Sequence, residues 1–494
     1  MICLLLLAAL GVNAEGTKQW MPNPSIDIRT QIFDNNDSAR SFMTYIATEP
    51  ERLNIHIDDV NTEKIYFAFR QDNGDVYFRL RDPLGNIVYG PQLVPSSGNG
   101  YLASYNEAVA GPDILDASNG YSPLSYTPSI PGDYYIEFNR GDADNYIHGT
   151  SNVKRLFNFF DITVVDMSDT TEVPGRLWSK AWDFNCMSSG NTFDADLFIY
   201  HNDSILTNID FNGIRPFGFV FLANNTGPRN TGNPLTDRQS VTGNVNFPLY
   251  KIFLQYPDTN IYPITTTDPQ IAGPSSIEGC DLLSYDINVT TTHNGVLDVY
   301  LNLDGVDGYQ SGGADVYLAA YATIGTNTIP WDGNDGNGVP VGDGVSIDIY
   351  IQYNAGLTHI PIFDVENHDN GYLVNTLAPT SGVEDIFWDD SNIVGGGTNL
   401  TTACSGPCHT WGNSVGNVNT INTWWITHYD FDTLAFTVFY DCAPEAQRDT
   451  FNIPRNTPTT VDVQDNDSDP NGDALTTFIT VSYTHLTLPT TSRV

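Results

Sequence analysis

Ile65-Tyr66-Phe67-Ala68-Phe69-Arg70-Gln71-Asp72-Asn73-Gly74-Asp75-Val76-Tyr77-Phe78-Arg79-Leu80-Arg81 is the stretch from which the fold is read. Ile65, Phe67 and Phe69 alternate with Tyr66, Ala68 and Arg70. Beyond Asp72-Asn73-Gly74, Val76, Phe78 and Leu80 alternate with Tyr77, Arg79 and Arg81. Period two belongs to a strand, because successive side chains point to opposite faces. Asn and Gly tolerate the positive φ of a type I′ turn, so the stretch predicts a β-hairpin. Asp82-Pro83-Leu84-Gly85-Asn86 predicts the next turn. Further out, Tyr134 to Asn139 and Asp161 to Val165 read as strands, and residues 20–168 as one β-sandwich.

The same signals continue. Thr170 to Pro174 is a polar linker, and a second β unit, 176–283, opens with Trp178 and Trp182 expected on one face. Asp194 to Tyr200 and Phe217 to Ala223 are its clearest strands. In a third unit, 284–442, Leu297, Val299, Leu301 and Leu303 oppose Asp298, Tyr300 and Asn302, and Ile347, Ile349 and Ile351 repeat the pattern. Whether units two and three share one core stays open. Helical periodicity is confined to a short turn near Glu107. After the Pro-rich linker Ala443 to Thr457, residues 458–481 read as a truncated repeat, far short of the roughly 100 residues of a sandwich. Residues 482–494 resemble translated sequencing-adaptor tails of metagenomic fragments and read as non-native; a genuine C-terminal strand is the alternative. The expected fold class is all-β, with several tandem β-sandwich domains, Ig-like or jelly-roll-like.

Composition narrows the partners. The 494 residues hold 59 acidic and 20 basic side chains, a formal net charge of -39. Phosphate binding needs Lys and Arg, so nucleic acid is excluded as a partner, and anionic membrane surfaces likewise. Either salt screens the self-repulsion or divalent cations neutralise part of it, and the acidic loops below favour cations. Ile2 to Leu10 is an apolar run that ends in small residues, which reads as a signal peptide over 1–14, cut after Ala14. A buried N-terminal strand is the rival reading. The run is too short to span a bilayer, and no later segment approaches the roughly 20 apolar residues of a transmembrane helix. The expected location is secreted or on the cell surface, at the outer membrane exterior. Cys186, Cys280, Cys404, Cys408 and Cys442 would remain after the cut, with Cys186–Cys280 and two of the last three expected as disulfides.

Several motifs could carry chemistry. Asp465, Asp467, Asp469, Asn471 and Asp473 place oxygens at alternating positions, and Gly472 permits a bend. Ca²⁺ takes six to eight oxygen ligands in flexible geometry, so calcium is the expected ion. Asp332, Asn334, Asp335 and Asn337, in the glycine-rich loop after Trp331, are similar in kind; a metal-free glycine hairpin is the alternative. Cys404 and Cys408-His409 are either half of a zinc site, completed by His428 or Cys442, or disulfide cysteines. Trp411, Trp424 and Trp425 are the candidate ligand-binding aromatics, able to stack on a sugar or peptide; a place in the core or at a sheet edge is the alternative. Gly412-Asn413-Ser414-Val415-Gly416 matches a nucleophile elbow, but the strand-to-helix context that chemistry requires is missing. No residue is therefore assigned a catalytic role.

Gly175-Arg176-Leu177-Trp178-Ser179-Lys180-Ala181-Trp182, Thr236 to Gly243, the Trp331 loop, Cys408 to Trp411 and Asn419 to Trp425 together resemble large gliding-motility-associated surface proteins of Bacteroidota, exported by the type IX route. The resemblance spans roughly residues 20–442. It implies β-sandwich modules on the cell exterior with adhesin or scaffold roles, and it supplies no catalytic residue. Val461 to Leu475 resembles the opening of a cadherin-like repeat, and residues 20–168 resemble the pre-peptidase C-terminal jelly roll. The expected function is a non-catalytic, calcium-stabilised extracellular surface protein, meeting other surface proteins or glycans. The alternative is the carbohydrate-binding accessory region of a secreted hydrolase.

Overall fold

The computed structural model describes residues 14–32, 42–72, 74–147, 155–188, 190–281, 284–389, 404–405, 412, 417–440, 442–452, 454, 457–469 and 473–477. The protein is all-β, with short α-helices at Thr17–Trp20, Tyr105–Ala110 and Pro234–Asp237 among the described residues. The second of these is the turn expected near Glu107, capped by Ser104, whose side chain accepts from the Glu107 N–H. No described helix is long and apolar enough to cross a membrane.

Both strands of the opening stretch form, as Glu63–Gln71 and Val76–Arg81, but they do not make a hairpin. Glu63–Gln71 pairs with Leu124–Tyr126 and Arg155–Asp166, whereas Val76–Arg81 pairs with Ile87–Leu93 and Gly132–Arg140. The turn between them carries the chain from one sheet to the facing one. Burial explains the outcome. In opposed sheets the two apolar sets meet across a shared interior, and Phe67 and Phe69 reach Phe78 with ring centroids 5.7 and 5.5 Å apart. Local turn chemistry is worth less than enclosing these rings on both sides.

Two layers then run through both of the first two units. One is a six-stranded sheet ordered Leu124–Tyr126, Glu63–Gln71, Arg155–Asp166, Arg29–Ile32, Ala181–Asn185 and Gly218–Leu222. The facing ten-stranded sheet runs from Ile87–Leu93 through Val76–Arg81, Gly132–Arg140, Leu53–Ile57 and Leu177–Ser179. It continues through Lys251–Phe253, Asp196–Tyr200, Leu206–Asp210 and Leu373–Ala378 to Gly382–Val383. Strands on either side of the 170–174 linker are hydrogen-bonded neighbours in both layers: Arg29–Ile32 with Ala181–Asn185, and Leu53–Ile57 with Leu177–Ser179. The domains expected at 20–168 and 176–283 are therefore fused sandwiches over one core that reaches from Trp20 to Trp425. Trp178 and Trp182 do not share a face. Trp182 is in that core, and Trp178 lies outside it against Phe253 and Tyr262.

A further sandwich sits beside the double layer. Ser276–Asp281, Ser284–Thr291 and Gly325–Trp331 form its three-stranded sheet; Val316–Ala322, Gly295–Asn302, Ser346–Ala355 and His428–Thr437 form its four-stranded sheet. Leu297, Val299, Leu301, Ile347, Ile349 and Ile351 all enter its core, as their alternation predicts. Seven strands split three and four is an Ig-like arrangement. The expected 284–442 boundary fails at both ends. Ser276–Asp281 belongs to this sandwich, while Ile360, Ile362, Ile421 and Trp425 belong to the other core. The chain crosses between the bodies as a paired ribbon: Ser346–Ala355 leads into Thr358–Phe363, antiparallel to Asn419–Trp425 and His428–Thr437. The ribbon bends at Gly356, whose φ is 64° and where a Cβ would overlap Thr427.

Cys186 is a free, buried thiol, so the expected Cys186–Cys280 bridge is not made. It sits in the aromatic core of the double layer, and burial pushes its thiol up to about 12. Cys442 is disulfide-bonded, which removes it from the zinc set. The other cysteine side chains lie outside the described residues.

Candidate ligand-binding face

The four-stranded sheet of the Ig-like sandwich has one face in the core and one face outside. Strand register sets what the outer face carries. Tyr317 lies opposite Tyr300, and Tyr300 opposite Tyr350; in the next row Asp298 lies opposite Gln352, and Gln352 opposite Phe431. Because side chains alternate, these rows point away from the core. Tyr350 is 36% and Phe431 64% exposed.

Tyr300 and Tyr317 stack with ring centroids 4.8 Å apart and planes 7° from parallel. Tyr309 joins them from the loop between their strands, at 5.4 Å from Tyr300 and 5.9 Å from Tyr317. Asp298 anchors the row: its Oδ1 accepts from the Tyr317 hydroxyl at 2.7 Å and its Oδ2 from Asn354 Nδ2 at 2.6 Å. Burial, then the Asp298 charge, pushes the Tyr317 phenol well above its usual range. The loop bearing Tyr309 is held by buried Asp315. Its Oδ1 accepts from the N–H groups of Leu303 (2.8 Å) and Asp304 (3.2 Å), and its Oδ2 from Gln310 (2.8 Å). A carboxylate that satisfies three main-chain donors fixes a loop that would otherwise lack a ladder.

The Trp331 loop docks against this one, with Gly336 N–H donating to Ala314 C=O at 2.7 Å. Between them lies a groove of about 550 Å³, lined by Tyr309, Tyr317, Asp315, Asp332, Asn334 and Asp335. The fold thus brings three of the predicted loop residues beside a tyrosine cluster. Asn337 lies in the same loop and donates its N–H to Asp335 Oδ1 at 2.9 Å. Asp335 Oδ1 also accepts from Val339 N–H at 2.9 Å, and these main-chain donors lower its pKa. Asp332 accepts from Asn334 N–H at 3.1 Å and from its side-chain amide at 3.0 Å. Among the described residues no three His, Cys, Asp or Glu side chains converge as a metal cluster.

The other predicted residues fall elsewhere. Asp467 Oδ1 accepts from Gln447 N–H at 2.7 Å, and Asp469 Oδ1 from Asp473 N–H at 3.1 Å. Glu445 and Ser468 form a β-bridge, which ties this acidic segment, Asp465 included, to the linker before it. Asn471 lies outside the described residues, as does Trp411. Trp424 and Trp425 are interior, at 3% and 0% exposure, and so offer no stacking surface. Trp425 fills the double-layer core, and Trp424 is enclosed between His359 and Phe387 at 5.6 and 5.9 Å. The register that lets the ribbon join two bodies turns both tryptophans inward.

No family model matches the chain, and no curated protein matches it. Among solved structures, a DUF4785 family protein from Legionella pneumophila is 9% identical over 69% of this chain and 86% of its own, with a TM-score of 0.12. Likeness at that level carries no argument. The site therefore rests on its own residues. The tyrosines were the part that sequence reading missed. In the sequence Tyr300 reads only as the polar side of its strand, and the usable signal is tyrosine at outward positions of neighbouring strands.

Proposed function

We propose that the chain is a non-catalytic surface protein of the cell exterior, an adhesin or scaffold, whose Ig-like sandwich holds glycans in the groove beside Tyr309 and Tyr317. One observation carries this reading: a stacked tyrosine cluster stands next to carboxylate and amide groups in an open groove. Aromatic rings take the C–H faces of a pyranose, and Asp and Asn oxygens take its hydroxyls. The net charge of -39 directs the choice toward neutral or cationic sugars. A glycan array is the test. Tyr309→Ala and Tyr317→Ala should each weaken the bound glycan by roughly 30-fold, the size of a binding hot spot. Unaltered affinity in both variants would remove the reading.

The calcium reading belongs to the same proposal. Its support is the charge surplus together with the Asp- and Asn-rich loops around Asp332 and Asp465. Ions that bind the folded chain alone raise its stability by mass action. Excess chelator is expected to lower the melting temperature by several degrees, and added Ca²⁺ to restore it. An identical melting curve with and without chelator would count against calcium.

A further inference from the structure

Glu15 and Asp161 are buried together without a described cation in hydrogen-bond contact with either carboxylate. Ala14 and Glu15 are 0% and 2% exposed, and Asp161 is fully buried. The chain at Glu15-Gly16 lies along the strand Arg155–Asp166: Ile162 N–H donates to Glu15 C=O at 3.0 Å, and Gly16 bridges Asp161. This approach demands glycine at position 16, because a Cβ there would overlap the Phe160 carbonyl. The Glu15 carboxylate accepts from the N–H groups of Gly175, Arg176 (3.3 Å) and Leu177 (2.8 Å). Asp161 Oδ2 accepts from the Tyr121 hydroxyl and from Thr163 Oγ1 at 2.9 Å. Its Oδ1 has no hydrogen bond of ordinary geometry, although the Glu15 main-chain N–H is close enough to favour the charged carboxylate.

We infer that hydrolysis of the Ala14–Glu15 bond completes this site, the new α-ammonium of Glu15 pairing with the buried carboxylate of Asp161. The inference rests on the export reading, which supplies the cut after Ala14. Water gives its hydroxyl to the Ala14 carbonyl carbon and a proton to the departing Glu15 nitrogen. That amine takes a second proton from solvent, since α-amino groups have a pKa of about 7.7–8.0. An amide that donates one hydrogen becomes a cation that donates three, one of them available to Asp161 Oδ1. Processing occurs on the unfolded chain, so burial of the bond in the folded state is no obstacle.

The observations agree with a missing cation. Burial pushes the Asp161 carboxyl up to about 7 despite Tyr121 and Thr163, and burial likewise pushes Glu15 up to about 7 despite its three main-chain donors. Lys18 lowers Asp161 only through space, while Asp161 raises Glu15. Removing Ala14 also withdraws the carbonyl that accepts from Gln19 Nε2 at 2.7 Å and Gln255 Nε2 at 3.1 Å.

The test compares the chain beginning at Glu15, released from a tag by a protease that leaves no extra residue, with the same chain α-N-acetylated. The free amine should melt at least about 4 °C higher, the scale expected for a completed buried pair. Its reaction with an amine-acylating reagent should be at least about 10-fold slower folded than unfolded, as burial removes it from solvent. Asp161→Asn should abolish the melting difference. If that variant fails to fold, acetylated against free wild type still decides. Equal melting together with full amine reactivity overturns the inference and leaves the export reading untouched. The intact mass of the chain from an exporting host addresses the other half. A cut at a different bond overturns the assignment of Glu15, and a retained, uncut chain overturns the export reading.

Discussion

Arg176→Ala is expected to destabilise the fused double layer by about 3–5 kcal/mol, the range for breaking a buried ion pair by removing one partner. The guanidinium makes four hydrogen bonds and a further ion-pair contact. Nε donates to Asp258 Oδ2 at 3.0 Å, Nη1 to the His56 carbonyl at 3.3 Å and Glu63 Oε2 at 3.2 Å, and Nη2 to Glu63 Oε1 at 2.9 Å; Nη2 also lies 2.9 Å from Asp258 Oδ2 as an ion pair. The Arg176 side chain is 4% exposed, Glu63 8% and Asp258 13%. Glu63 begins a strand of the first sandwich, and Asp258 follows Lys251–Phe253 of the second. Removing the guanidinium leaves two nearly dry carboxylates facing each other across that junction. Arg176→Lys should recover little, because an ammonium cannot reproduce the planar fork. Adding Glu63→Gln and Asp258→Asn to Arg176→Met should recover most of the loss, since the uncompensated charges are gone. Denaturant midpoints measure all three, and a loss under about 1 kcal/mol for Arg176→Ala would show that the pair is only tolerated.

Arg176 also shows what the sequence made legible and what it hid. Composition marks Thr170 to Pro174 as a linker, and linkers read as flexible. The structure pins its end from both sides, through Arg176 and through Glu15, whose carboxylate holds the N–H groups that follow Pro174. Such ties come from residues far apart in sequence, where no local pattern reports them. Alternation did report the strands. Ile65, Phe67, Phe69, Val76, Phe78 and Leu80 are all buried, as are Ile347, Ile349 and Ile351. Alternation cannot say which strands pair, so the sequence predicts a hairpin at Asp72 to Gly74 where the chain passes between facing sheets. At the candidate groove, Asp332, Asn334 and Asp335 were visible because glycine-rich acidic loops stand out in composition. Tyr309 and Tyr317 were not, because their meeting depends on the loop that Asp315 folds back. Trp424 and Trp425 take the core alternative that the sequence leaves open, since tryptophan serves a core as well as a surface.

Acidification from pH 6.5 to 4 is expected to weaken the joint between the double layer and the Ig-like sandwich through two buried histidines. His201 stacks on Tyr250 at 4.5 Å, and its Nε2 lies 2.9 Å from Thr358 Oγ1, at the start of the ribbon strand. His359, next along that strand, stacks on Trp424 and lies 2.9 Å from the Asn422 amide. Burial pushes each imidazole down to about 3, and at His359 the nearby Arg238 charge adds to it. Between about pH 6.5 and 3 the unfolded chain therefore binds protons that the folded chain refuses, so stability is full above that window and falls as pH drops. Over 2.5 pH units this amounts to about 3 kcal/mol for each histidine. In the chain that retains Ala14, Glu15 and Asp161 work in the opposite sense, because their raised carboxyls favour the folded state as pH falls towards ordinary carboxylate values. A single pH profile would blend the two effects, whereas the difference between wild type and His359→Gln isolates one. Gln keeps an amide partner for Asn422 and cannot titrate. Wild type should lose about 3 kcal/mol more than the variant between pH 6.5 and 4, and parallel profiles would mean that His359 is already solvated where the ribbon bends.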